Sequence, residues 1–340
     1  MAESGSKLLM SVHASDRSRK LRVTSIRLLA IFMTLGMLLL VAWDLSTEGE
    51  LLARGPAQFF LEPQPRVEVL SNDTELQGSS VCVAGIVDPT RATYHSDHRF
   101  YTLLRELGPL PPPVFRGKHA ELCDAAKRAD RMYSYCLPIS GRKDEPFCSA
   151  PDRLDLLTRQ SPDTLCYGSV LHMLLADVVD ELKVLGAEPL VAFGTLLGAV
   201  RNGSVIPFTE DVDVAHLKLS STKTNKLRQA LWAKGYHVFF HNIWRVCVAP
   251  THPLASNLYD PDHGLVGTFG APYVDLYTMK REANGQWNMQ ETKNGRRLPD
   301  NKVRPHSTVY INGLSFDTVH DPIDFLRKEY GDGFMTPKPR

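Results

Sequence analysis

The apolar positions of this chain fall into three patterns. Residues 28–45 are apolar throughout except for Thr34 and Asp44. Between Leu165 and Leu185 the apolar residues Leu171, Leu174, Leu175, Val178, Val179, Leu182 and Leu185 recur at the spacing of one helix face. Beyond them come short runs that read as strands: Leu190–Phe193, Asp211–Val214, Tyr236–Phe240, Trp244–Val248 and Tyr273–Tyr277. Thr222–Lys234 predicts an amphipathic helix, with Gly235 as its C-cap. Arg281–Lys302 is polar and predicts a long loop or hairpin, and Val309–Phe316 predicts a hairpin. Asp321 suits an N-cap, Pro322 the first helical position and Gly331 the stop, so a helix should close the chain. Helices interleaved with strands imply a mixed α/β fold, a sheet flanked by helices.

The apolar run at 28–45 is long enough to cross a thin bilayer. Lys7, Arg17, Arg19, Lys20, Arg22 and Arg27 precede it, whereas Asp44, Glu48 and Glu50 follow. That asymmetry predicts a signal anchor with residues 1–27 in the cytosol and the remainder in a lumen. No small-x-small cleavage site precedes Trp43-Asp44. A short span suits the early secretory pathway, a Golgi or ER membrane. Residues 46–80 carry Pro56, Pro63 and Pro65 and read as a stem, with the sequon at Asn72 expected to be glycosylated and that at Asn202 bare. All six cysteines follow the span, four of them in residues 81–160. An even lumenal count fits disulfides. The alternative is zinc, drawing on His119 and Cys123 or on His95 and His98. A domain carrying the chemistry should occupy residues 161–340. The net charge of +1 gives no nucleic-acid footprint.

The chemistry centres on Leu190–Leu217. Asp211 and Asp213 share one face of a strand, because side chains alternate. Two carboxylates so placed repel unless a cation sits between them, and oxygen ligands suit Mg²⁺ or Mn²⁺. Upstream, Gly194 lets backbone approach an anion, and Thr195 at a helix start can bond a phosphate oxygen. Together these predict a metal-dependent site for a nucleotide diphosphate. Asp275 is an acid inside an apolar strand, which favours a site role over an Arg-paired strand acid. His172 reads as structural.

The stretch GTLLGAVRNGSVIPFTEDVDVAHL resembles the signature of the LicD-type transferases, the family of fukutin and the fukutin-related protein. Gly194–Gly198, Arg201, Gly203, Ile206-Pro207 and Asp211-x-Asp213 carry the match. Phe208 stands where that family has Trp, and Thr209-Glu210 where it has acids. The closing run Asp321–Gly331 is also similar. The resemblance implies a nucleotidyltransferase-like fold and transfer of a phosphorylated alcohol, such as phosphocholine or ribitol phosphate, from a CDP-linked donor to a glycan. It implies Asp211, Asp213 and Asp275 as catalytic metal ligands, with Gly194, Thr195 and Arg201 on the donor phosphates. A sugar-nucleotide glycosyltransferase and a non-catalytic lumenal scaffold are the other readings. Oligomeric state stays open.

Overall fold

The computed structural model describes residue 34 and residues 80–340, apart from 96–98, 145, 266–269, 291–294 and 338–340. The expected span at residues 28–45, of which only Thr34 is described, lies outside the described residues, as do the stem and Asn72. Among the described residues no helix is long and apolar enough to cross a membrane.

The elements below belong to one compact unit, Gln64–Arg340. Strand β1 (Val81–Val83) pairs antiparallel with β2 (Val114–Arg116). The central sheet is built from β3 (Leu190–Val191), β4 (Asp211–Leu217), β5 (Tyr236–His241), β6 (Ile243–Val248) and β7 (Tyr273–Arg281), in the order β3-β4-β7-β6-β5. β4 and β7 run parallel; the other neighbours on this path are antiparallel. The stretch expected as a polar loop or hairpin extends the sheet through two short strands, β8 (Trp287–Asn288) on β7 and β9 (Arg297–Leu298) on β8. β10 (Ser307–Ile311) and β11 (Leu314–Thr318) form the expected hairpin.

The long helix Tyr167–Val184 packs on β4, β6 and β7. Its apolar stripe joins Val212, Val214, Val246, Val274 and Leu276 in the main core. These strand residues alternate with the acids, so the same period-two pattern that buries valines on one face leaves aspartates on the other. Residues 81–160 enter the same core through Phe100, Tyr101, Phe115, Leu122, Leu137 and Leu156.

The strand expected over Leu190–Phe193 stops at Val191. Ala192 becomes an N-cap, and Phe193 opens the helix Phe193–Asn202 with φ 46°, which tips the chain out of the sheet. The helix predicted at 222–234 runs Ser221–Ala233, its end capped by the Ser220 hydroxyl accepting from the Lys223 N–H. The closing helix is Pro322–Tyr330, with the Asp321 carboxylate accepting from the Asp324 N–H.

The six cysteines form three disulfides, Cys82–Cys123, Cys136–Cys247 and Cys148–Cys166, with no free cysteine. No thiolate is left for zinc, and His95 lies 3.3 Å from Glu181 instead. Cys136–Cys247 spans 111 residues and ties the region before the long helix onto β6. Loop-closure entropy at that separation contributes roughly 4–5 kcal/mol.

Candidate active site

Three strands and one helix start meet at the acidic face of the sheet. Asp213 on β4 lies directly beside Asp275 on β7, and Asp211 beside Tyr273. Carboxylate oxygens of Asp211, Asp213 and Asp275 all lie within 4.8 Å of one another. Ligands 2.0–2.1 Å from an octahedral ion are about 3 Å apart when adjacent and about 4.2 Å when opposite. The cluster therefore fits a divalent ion, which no single pair of acids would establish.

Electrostatics point the same way. Asp213 is 7 % and Asp275 4 % exposed. Burial first, then the charges of Asp211 and Asp275, push the Asp213 carboxyl well above the usual carboxylate range. Asp275 is raised by burial and partly pulled back by Arg245. A cation among the three would relieve the repulsion that raises Asp213.

The chain around the acids is arranged to hold them. The Gly194 N–H donates to Asp213 Oδ2 at 2.8 Å, and the Asp213 N–H donates to Thr195 Oγ1 at 2.6 Å. A Cβ on Gly194 would come 3.2 Å from that carboxylate oxygen. Gly198 admits the 204–206 turn, since a Cβ there would meet the Ser204 carbonyl oxygen at 2.4 Å. Thr209 donates its hydroxyl to Asp211 Oδ1 at 2.8 Å. Thr209 thus replaces an acid of the family pattern and supports one that remains.

Gly194, Thr195 and the three aspartates are brought together as the sequence implies. Arg201 stands in the last turn of Phe193–Asn202, and its guanidinium bonds the carbonyl oxygens of Phe334 and Thr336. Glu210 turns away to Lys143, whose Nζ lies 2.7 Å from Glu210 Oε1. His172 is buried, accepts from the Arg153 N–H, and is depressed to about 4 by burial, consistent with a structural role.

Sequence reasoning missed Arg245 and Tyr277. Arg245 Nε donates to Asp275 Oδ1 at 2.6 Å, and the Tyr277 hydroxyl donates to Asp275 Oδ2 at 3.2 Å. Asp275 is thus both an Arg-paired strand acid and a member of the cluster. The signal for Arg245 was a charge inside the apolar run Ile243–Val248. Tyr277 sits two residues beyond Asp275 and so on its face.

Residues 186–318 match the family model described as LicD/FKTN/FKRP, nucleotidyltransferase domain. This stretch is a LicD-type domain. It contains Asp211, Asp213, Asp275, Gly194, Thr195 and Arg201, while Lys143 and the closing helix lie outside it. Among solved structures, a lincosamide antibiotic adenylyltransferase with lincomycin bound, LnuA, is similar at 14 % identity with a TM-score of 0.29. The likeness covers 44 % of this chain and 80 % of that one. Comparison with curated proteins finds no match.

Proposed function

We propose that this protein is a divalent-metal-dependent transferase that moves a phosphorylated alcohol from a CDP-linked donor to a glycan hydroxyl. The observation that carries the reading is the three-carboxylate cluster on β4 and β7 inside a LicD-type domain. The acceptor oxygen bonds to the donor's distal phosphorus, the phosphoanhydride bond to the nucleotide breaks, and CMP leaves with the bonding pair.

Asp211, Asp213 and Asp275 would hold Mg²⁺ or Mn²⁺, which when bound offsets charge on the diphosphate. The chain's own groups do the positioning. The Gly194 N–H and Arg245 fix two of the acids. Thr195 accepts from Asp213, and a hydroxyl that accepts still has its proton to donate to a phosphate oxygen. The acceptor's proton goes to a carboxylate of the cluster.

The proposal includes a secretory-pathway location with residues 1–27 cytosolic and the remainder lumenal. Three disulfides among six cysteines support an oxidising compartment. Protease treatment of sealed microsomes should spare everything after Glu50; digestion of the C-terminal domain would refute this.

The functional test is turnover of a panel of CDP-linked and sugar-nucleotide donors by the purified full-length chain, read by product mass. A gain equal to a phosphorylated alcohol, abolished by chelation, is expected. A gain equal to a sugar would make the protein a glycosyltransferase instead.

A further inference from the structure

The chain does not end at the closing helix. After Tyr330, Gly331 turns the backbone with φ 82°, and two reversals follow, Phe334 N–H to Gly331 O and Thr336 N–H to Gly333 O. This strap runs back over the helix Phe193–Asn202. There the Arg201 Nε donates to the Phe334 carbonyl at 2.7 Å, and its Nη2 donates to the Phe334 carbonyl and to that of Thr336, the latter at 3.3 Å. The Phe334 ring is 5 % exposed and joins the main core. An arginine fork on two backbone carbonyls is a fixed geometry, because the guanidinium is planar and its donors are rigid.

The strap and its helix touch the site at a second place. Phe325 packs its ring 5.4 Å from that of Phe193. Phe193 is the left-handed residue immediately before Gly194, whose N–H holds Asp213. Phe193 in turn meets Tyr277, the hydroxyl donor to Asp275, at 5.1 Å between rings. Tyr330 is the last residue of the helix, four residues beyond the buried Leu326 and so on the same face. It is 37 % exposed, open to solvent on one side.

We propose that Arg201 is a latch for the strap Gly331–Thr336, and that the latched strap holds Tyr330 at the rim of the aspartate cluster, where its hydroxyl donates to a phosphate oxygen of the nucleotide-linked donor. The proposal rests on the transferase reading above. Burial, followed by the charges of Asp213, Glu329 and Asp211, raises the Tyr330 phenol above its ordinary range, while Arg201 opposes. A phenol kept protonated beside carboxylates can only be useful to an anion as a donor. Arg201 is then a positioning residue and Tyr330 a binding residue, the reverse of what the arginine alone suggests. Both strap and helix lie beyond residue 318, outside the stretch that matches the family model.

The test uses the full-length chain in detergent with CDP and Mg²⁺, read by titration calorimetry, with thermal melting alongside. Tyr330→Phe should weaken CDP about tenfold, the loss of one hydrogen bond to a charged group, without lowering the melting point. Arg201→Gln should weaken CDP by a similar factor and expose the strap to limited proteolysis, and Arg201→Lys should recover part of both. The double variant Arg201→Gln/Tyr330→Phe should bind CDP no more weakly than Arg201→Gln. Additive losses would mean that Arg201 reaches the phosphates on its own, overturning the latch. Wild-type affinity in Tyr330→Phe would overturn the proposal even if Arg201→Gln fails to fold. A wild-type protein that binds no CDP with Mg²⁺ would overturn the transferase reading and the proposal together.

Discussion

Two groups of buried acids flank the central sheet, and they are built on opposite plans. On the long-helix side, Asp177 and Glu181 are 1 % and 3 % exposed and share the ammonium of Lys234, itself 2 % exposed. Its Nζ lies 2.6 Å from Glu181 Oε1 and 3.7 Å from Asp177 Oδ1. The hydroxyls of Tyr101 and Tyr236 donate to the two oxygens of Asp177. This group brings its own cation and donors. On the other side, Asp211, Asp213 and Asp275 converge with a single guanidinium, Arg245, bonded to one of them. The first arrangement is complete within the chain and holds structure; the second leaves negative charge for something that arrives. Burial of an acid does not mark function. The balance of charge around it does.

The comparison can be broken first on the structural side, where the largest effect is expected. Lys234→Met would leave Asp177 and Glu181 in a core without their cation. Removing one partner of a buried ion pair costs about 3–5 kcal/mol. Urea unfolding of the oxidised protein should show that loss. A variant as stable as wild type would mean that the tyrosine donors alone satisfy Asp177.

On the other side the effect should fall on activity. Asp213→Asn and Asp275→Asn should each lower donor turnover on the order of 100–1,000-fold, the scale of losing one preorganised electrostatic contact. Melting of Asp213→Asn should stay at or above the wild-type value, because neutralising one acid relieves the repulsion of its neighbours. Asp275→Asn is the sharper case, since it also strands Arg245. Wild-type turnover in Asp213→Asn would remove the cluster from the chemistry.

Much of this contrast was legible in the sequence, and its limits are physical. Period-two alternation placed Asp211 and Asp213 on one face, and an acid in an apolar strand singled out Asp275. The long helix could be read from its stripe. What could not be read was anything that depends on register between distant strands. Arg245 is 30 residues from Asp275, and Arg201 reaches 133 residues to the Phe334 carbonyl. Cysteine spacing likewise gave an even number and no pairing. Phe193 misled because a left-handed residue looks, in sequence, like the end of the strand it leaves.

Metal binding should sharpen the comparison with a smaller effect. An ion that binds only the folded chain stabilises it by mass action, about 2.7 kcal/mol at a hundredfold excess over its dissociation constant. Adding Mg²⁺ to chelator-treated protein should therefore raise the melting point by several degrees, and Asp213→Asn should lose most of that rise. Lys234→Met, if it folds, should keep it. Equal rises in wild type and Asp213→Asn would place the ion elsewhere.

The smallest effect is expected at Glu210, next to Asp211 in sequence and separate from it in environment. On a regular strand the two alternate, and the structure pairs Glu210 with Lys143 at 2.7 Å. Both side chains are about a third exposed, at 33 % and 36 %. A solvent-exposed pair of this kind contributes about 0–1 kcal/mol, since water screens it and two long side chains lose freedom to form it. Lys143 also lies over the Tyr167 ring at 4.3 Å, a contact that survives loss of the carboxylate charge. Glu210→Gln should thus turn over donor within about threefold of wild type and melt within about a degree or two, as an exposed-pair loss of this size allows. If Glu210→Gln were as inactive as Asp213→Asn, the carboxylate of Glu210 would have to swing from Lys143 into the cluster during turnover. Lys143→Gln would then distinguish the cases: releasing Glu210 should raise activity if it joins the metal, and leave it unchanged if the pair only fastens the segment before β4.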